Sequence, residues 1–268
     1  MALRGNFSKL SRSAGEIKRY RMYKRIVPVC ASLLAILLIL IYIISLLFSK
    51  YGSFTININN INDQKNYALS LSESDSFDVY QTRLNANAVK NITNMCKKDL
   101  PDDLNDNGGQ HNGENYLAYT FYLKNSGTLT CNYKYSLVIT KYTGGIDSIV
   151  RVRLYFNKDY YKAQTGETNE SGEYTDFAKP KTGGNGEAEN DARCNEGNDL
   201  YQTNFYADNI ITTGIVNDFN PDDMARITVV VWIEGDDPDC DDSKLGGEFK
   251  IDMDFEIIEP EKNTTSGT

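Results

Sequence analysis

Phe249-Lys250-Ile251-Asp252-Met253-Asp254-Phe255-Glu256-Ile257 decides the fold class. Apolar and charged side chains alternate along it without a break. A period of two puts every apolar residue on one face of a strand and every charge on the other. A helix would scatter the same residues around its whole circumference.

Working towards the N-terminus, the same period returns. Ile227, Val229, Val231 and Ile233 form one apolar row, which turns Trp232 to the opposite face. Val150, Val152, Leu154 and Phe156 alternate with Arg151, Arg153 and Tyr155, and further rows run from Leu117 to Leu123 and from Leu129 to Ile139. Asn125-Ser126-Gly127 and Gly144-Gly145 separate these last three runs, and turns that short predict an antiparallel meander. Shorter strand candidates are Ser53–Asn59, Tyr67–Ser72 and Leu200–Ala207. Residues 84–98 read equally as a short helix or an extended segment. Residues 162–199 contain almost no aliphatic side chain and predict a mobile surface loop. The expectation is an all-β domain of eight or so strands, an antiparallel β-sandwich of jelly-roll type.

One stretch breaks this pattern. Ile26 to Phe48 carries no charge and is almost entirely aliphatic. As a helix it measures about 35 Å, enough to cross a hydrocarbon layer of roughly 30 Å. Residues 1–25 hold eight Lys/Arg against Glu16 alone, a net +7. The whole chain carries −9, so residues 26–268 carry −16. Basic flanks stay on the cytoplasmic side. The apolar run exceeds the usual span of a cleaved signal, and its exit, Leu47 to Ser53, has no small-x-small cleavage site. The expected organisation is a basic cytoplasmic tail (1–25), a transmembrane signal anchor (26–48), an extracellular domain (51–258) and a polar tail (259–268). Pro28 is expected in the first turn of the anchor helix.

Little in the chain points to catalysis. A single histidine, His111, excludes the His-Glu-x-x-His zinc proteases, and neither a phosphate-binding loop nor a dinucleotide fingerprint occurs. Cys96, Cys131, Cys194 and Cys240 fall on the outer side and are candidates for disulfides, with three pairings open. Two acidic segments present hard oxygen ligands. Asp103, Asn105, Asn107 and Glu114, with Gly108, fit the spacing of a calcium-binding EF-hand loop, although a strand follows where a helix should. Asp236, Asp237, Asp239, Asp241 and Asp242 follow Glu234 within nine residues, a charge density that a divalent cation such as calcium would relieve. Trp232, on the outward face, is the candidate aromatic contact for a glycan or a protein partner.

Trp232-Ile-Glu-Gly-Asp-Asp-Pro-Asp-Cys240, Leu245-Gly-Gly247 and the final alternating strand resemble a C-terminal signature of uncharacterised, signal-anchored surface proteins of low-GC Gram-positive bacteria. Asn115 to Gly127 is similar to their central strand and turn. The plan of an apolar segment followed by a β-sandwich is, more distantly, similar to the biofilm-fibre (TasA/camelysin) family, whose members are usually processed at the apolar segment. The resemblance carries over no catalytic residue. The reading is a single-pass, non-enzymatic surface module for interaction or structure, with no nucleic-acid role. Its partner would be a surface protein, a glycan or another copy, and the strand edge Phe54–Asn59 is the candidate for pairing. The alternative is a calcium-assisted carbohydrate-binding domain using Trp232 and the Asp236–Asp242 loop.

Overall fold

A computed structural model describes residues 14–50, 54–59, 66–180 and 203–258. The chain divides into two compact units, Met1–Lys50 and Tyr51–Thr268. The first contains one helix, α1 (Ala14–Lys50). Within it Met22–Tyr42 has a mean hydropathy of 2.4, long and apolar enough to cross a membrane, and the unit buries none of that span. Pro28 lies well inside α1, not in its first turn, because the helix begins twelve residues before the apolar run, at Ala14. There it removes one backbone hydrogen bond of the helix.

The second unit is mostly strand. Sheet A has five strands in the order β11 (Ile210–Phe219), β6 (Cys131–Tyr142), β13 (Phe249–Ile258), β1 (Phe54–Asn59), β3 (Arg83–Ala86). Sheet B runs β10 (Thr203–Asn204), β9 (Tyr174–Ala178), β7 (Val150–Lys162), β12 (Met224–Ile233), β5 (Tyr116–Asn125), β2 (Leu69–Ser72). Two short strands flank it, β4 (Gly109–Gln110) on β5 and β8 (Glu167–Thr168) on β7. The inward rows of both sheets meet in one apolar core. Phe54 meets the edge of Tyr119 with ring centroids 6.0 Å apart, and Phe121 meets Phe255 at 6.1 Å. The alternation read from β13 places Ile251, Met253, Phe255 and Ile257 in this core.

Four expectations need correction. The runs β5, β6 and β7 are strands but not a meander: β6 lies in sheet A, while β5 and β7 flank β12 in sheet B. Gly144 and Gly145 both take positive φ and lead into a short 3-10 turn at Ile146–Ser148, which carries the chain to the other sheet. The pairing is also not wholly antiparallel. β1 runs parallel to β13, as β9 does to β10, which is open to strands far apart in the sequence. Nor is Phe54–Asn59 an edge. β1 is paired on both sides, and Phe54 and Ile56 are fully buried. Finally, residues 162–180 are not a loop throughout, because they contribute β8 and β9. Residues 181–202, and with them Cys194 and the start of the Leu200–Ala207 candidate, lie outside the described residues, as does the tail at 259–268.

Candidate interaction surfaces

The outward face of sheet B is roofed rather than open. Between β3 and β5 the chain crosses it as a long segment, residues 87–115, whose regular structure is a 3-10 turn at Lys97–Asp99 and the short strand β4. Leu100 and Leu104 from this segment are buried against Ala118, Tyr155, Val230 and Trp232, with Met95 and Tyr116 at the margin. A backbone bridge from Met95 to the Ile233–Gly235 turn pins it, with Met95 N–H on Ile233 O at 3.0 Å and Gly235 N–H on Met95 O at 2.9 Å. His111 fastens the far end. Its Nδ1 lies 2.9 Å from Gly109 O and its Nε2 2.9 Å from Leu104 O.

Under this roof the charges of β7 are paired. Arg151, fully buried, donates to Asp237 at 2.6 Å. Arg153 donates from Nε and Nη2 to the two carboxylate oxygens of Asp176 at 2.7 and 3.1 Å, and Lys97 of the roof reaches the same carboxylate at 2.8 Å. The Arg153 guanidinium also lies 3.8 Å from the centroid of the Tyr174 ring. A planar cation that both forks onto a carboxylate and stacks on a ring is held in orientation as well as in charge.

The residues singled out in the sequence have the following surroundings. Trp232 faces outward from its strand but is only 1% exposed, and its indole N–H donates to Glu234 at 3.0 Å. It anchors the roof and offers no exposed ring to a ligand. Glu234, Asp237 and Asp241 of the acidic loop have partners within the protein. Glu234 accepts from Trp232 and from Asp236 N, Asp237 takes Arg151 and the Asp239 N–H, and Asp241 caps Ser243 N. Burial pushes the Glu234 carboxyl above its usual range. Asp236 is fully buried, whereas Asp239, Asp241 and Asp242 are exposed.

In the EF-hand-like segment Asn105 makes structural contacts. The Asn105 side chain accepts from Thr228 at 2.8 Å and donates to Ser171 O at 3.3 Å, and the Asn105 backbone carbonyl accepts from Arg226. Asp103, Asn107 and Glu114 are exposed. Among the described residues no group of three or more His, Cys, Asp or Glu side chains is placed to hold a metal ion. Of the cysteines, Cys96 is disulfide-bonded while Cys131 and Cys240 are free thiols, so neither enters the pairings expected for them. Cys131 is buried in the core, which pushes its thiol up to about 11.

What sequence reasoning missed lies on the flank formed by β11, β6, β7 and β9. Tyr135, Leu154, Phe156, Tyr174, Phe177 and Thr212 line a cleft of about 530 Å³ there. Tyr135 and Phe156, both part-buried, stack with centroids 4.4 Å apart and so tie sheet A to sheet B. Gly214 on β11 makes room for them, since a Cβ there would fall within 2.6 Å of the Tyr135 hydroxyl. The one available signal was the glycine opposite a tyrosine, a pair visible only once β11 and β6 are in register.

Compared with known proteins, the chain matches no family model, no curated protein and no solved structure.

Proposed function

We propose that this chain is a single-pass surface protein whose jelly-roll-like β-sandwich is displayed on the outer side of the cell membrane as a non-enzymatic interaction or structural module. The carrying observation is the pairing of a bare apolar helix with a separate acidic two-sheet unit that has its own core. The +7 tail before the helix and the −16 beyond it favour a cytoplasmic N-terminus. The chain passes from sheet B to sheet A and back through β5, β6 and β7, as it does in a jelly roll. The bound partner is a surface protein, a glycan or a further copy, met on the exposed parts of the domain rather than at the roofed face.

Alkaline extraction of membranes tests the anchoring. The full chain should stay in the pellet, and the Tyr51–Thr268 unit expressed alone should be soluble. A full chain released by carbonate would refute it. Turnover of any substrate in a broad hydrolase screen, lost on substitution of a single exposed carboxylate, would refute the non-enzymatic part.

A further inference from the structure

The two flanks of the domain are finished differently. On one, the sheets are stitched at their edges. Leu71 of β2 and Gln81, just before β3, exchange two backbone hydrogen bonds of 2.7 and 3.0 Å. On the other flank sheet A ends in β11, whose one partner among the described residues is β6. The start of β11 is tied down by Tyr206 N–H on Ile211 O at 3.1 Å and by the Ala207–Ile210 bridge. From Thr212 to Val216 the register with β6 is regular, with irregularities confined to the segments before Thr212 and after Val216.

Natural sheets blunt a free edge with a charge, a proline or a bulge, because unpaired N–H and C=O groups are a template for another strand. This edge lacks those devices along its regular part. Ile210 to Asn217 contains no charged residue and no proline. The first charge is Asp218, where the backbone turns to a φ of 57° and the irregular end of the strand begins. The side chains on its outer face are apolar or neutral. Ile215 is 59% exposed, and Tyr206 beside the start of β11 is 71% exposed. These are large apolar side chains in a unit of net negative charge, and Ile215 lies in register with Lys134 of β6.

We propose that the β11 edge is a self-association site, where a second copy of this chain pairs antiparallel across a two-fold axis near Ile215. The occupant follows from charge and symmetry. Another copy brings the same net negative charge, so two copies approach most easily along a strip that carries none. An antiparallel two-fold pairing centred on Ile215 sets Ile215 against itself and Thr213 against Asn217, with no like charges opposed. It joins two five-stranded sheets into one of ten strands, within the usual size of an open sheet. Five regular residues make a modest contact, and anchoring both copies in one membrane raises their effective concentration. In that respect the inference rests on the anchored reading above.

The test is the protein mass of the full chain in detergent micelles over a range of concentrations, for the native sequence, Ile215→Lys and Val79→Lys. Val79 is equally exposed but sits in the loop leading to β3, on the stitched flank. The native chain and Val79→Lys should form a concentration-dependent dimer. Ile215→Lys should weaken it roughly tenfold or more with an unchanged circular dichroism spectrum. In a background with Cys30→Ala and Cys240→Ser, Ile215→Cys should give a disulfide-linked dimer on mild oxidation and Val79→Cys should not. A monomer at every concentration, or a dimer indifferent to Ile215→Lys, would overturn the proposal. Either result leaves carbonate extraction unchanged, so failure of this site is separable from failure of the anchored reading.

Discussion

Truncating Trp232 to alanine should come close to unfolding the domain. The side chain is 1% exposed and holds the roof segment through Leu100, Leu104 and Met95. Removing a fully buried tryptophan costs about 3–5 kcal/mol. The same change strips Glu234 of the indole N–H at 3.0 Å, and a buried acceptor left unpaired costs a further ~1–3 kcal/mol. Together this is on the order of 5 kcal/mol, against a total stability of roughly 5–15 kcal/mol for an ordinary domain. Trp232→Phe keeps most of the packing and loses the hydrogen bond, so it should cost about 1–3 kcal/mol. Urea unfolding followed by circular dichroism measures both. Because Trp232 is the only tryptophan, native fluorescence adds an independent readout. Its emission should be blue-shifted and poorly quenched by acrylamide until unfolding. A loss below about 1 kcal/mol for Trp232→Ala, with ready quenching of the native chain, would refute the roofed arrangement and return Trp232 to the surface.

The buried ion pair gives a second prediction: Arg151→Ala strands Asp237 and should cost about 3–5 kcal/mol in the same assay, whereas Glu114→Ala on the exposed segment should cost less than about 0.5 kcal/mol. In the folded chain Cys240 should react with a thiol reagent within minutes and Cys131 only after denaturation, because the Cys131 thiol is buried and pushed up to about 11. The Glu234 carboxyl should titrate above the ordinary glutamate range in a carbon-detected NMR experiment, owing to its burial. A raised carboxyl favours the folded state at pH values below the unfolded pKa and loses that contribution as pH rises through the folded one. Glu234 on its own therefore lowers stability from mildly acidic towards neutral pH.

The parts of the fold that could be read in advance are those where burial is one-sided. β13 alternates cleanly because one face meets the core and the other carries Lys250, Asp252, Asp254 and Glu256. β11 escaped because Ile210-Ile211-Thr212-Thr213-Gly214 does not alternate: an irregularity sits between Ile210 and Thr212, and the edge position leaves much of the strand half-exposed. The outward direction of Trp232 was legible from its neighbours, but its burial was not. The segment covering it, residues 87–115, has no periodicity and is held by contacts distant in sequence, such as Met95 to Gly235. The same holds for the arginines of β7. Alternation marks Arg151 and Arg153 as outward and hence wet, yet each finds a carboxylate, Asp237 or Asp176, brought over by a separate loop or strand. The place of β1 in the middle of sheet A follows from pairing with the last strand of the chain, an order that no local pattern records.

Cysteine accessibility on intact cells tests whether the two-sheet unit is carried on the outer side of a membrane by α1. In a background with Cys30→Ala and Cys240→Ser, Leu245→Cys places a thiol at an 80% exposed position of the domain, and Lys9→Cys places one in the basic tail. A membrane-impermeant maleimide should label Leu245→Cys on intact cells and Lys9→Cys only after permeabilisation. Labelling of Lys9→Cys on intact cells with Leu245→Cys protected, or protection of both until lysis, would refute the outward display of the two-sheet unit.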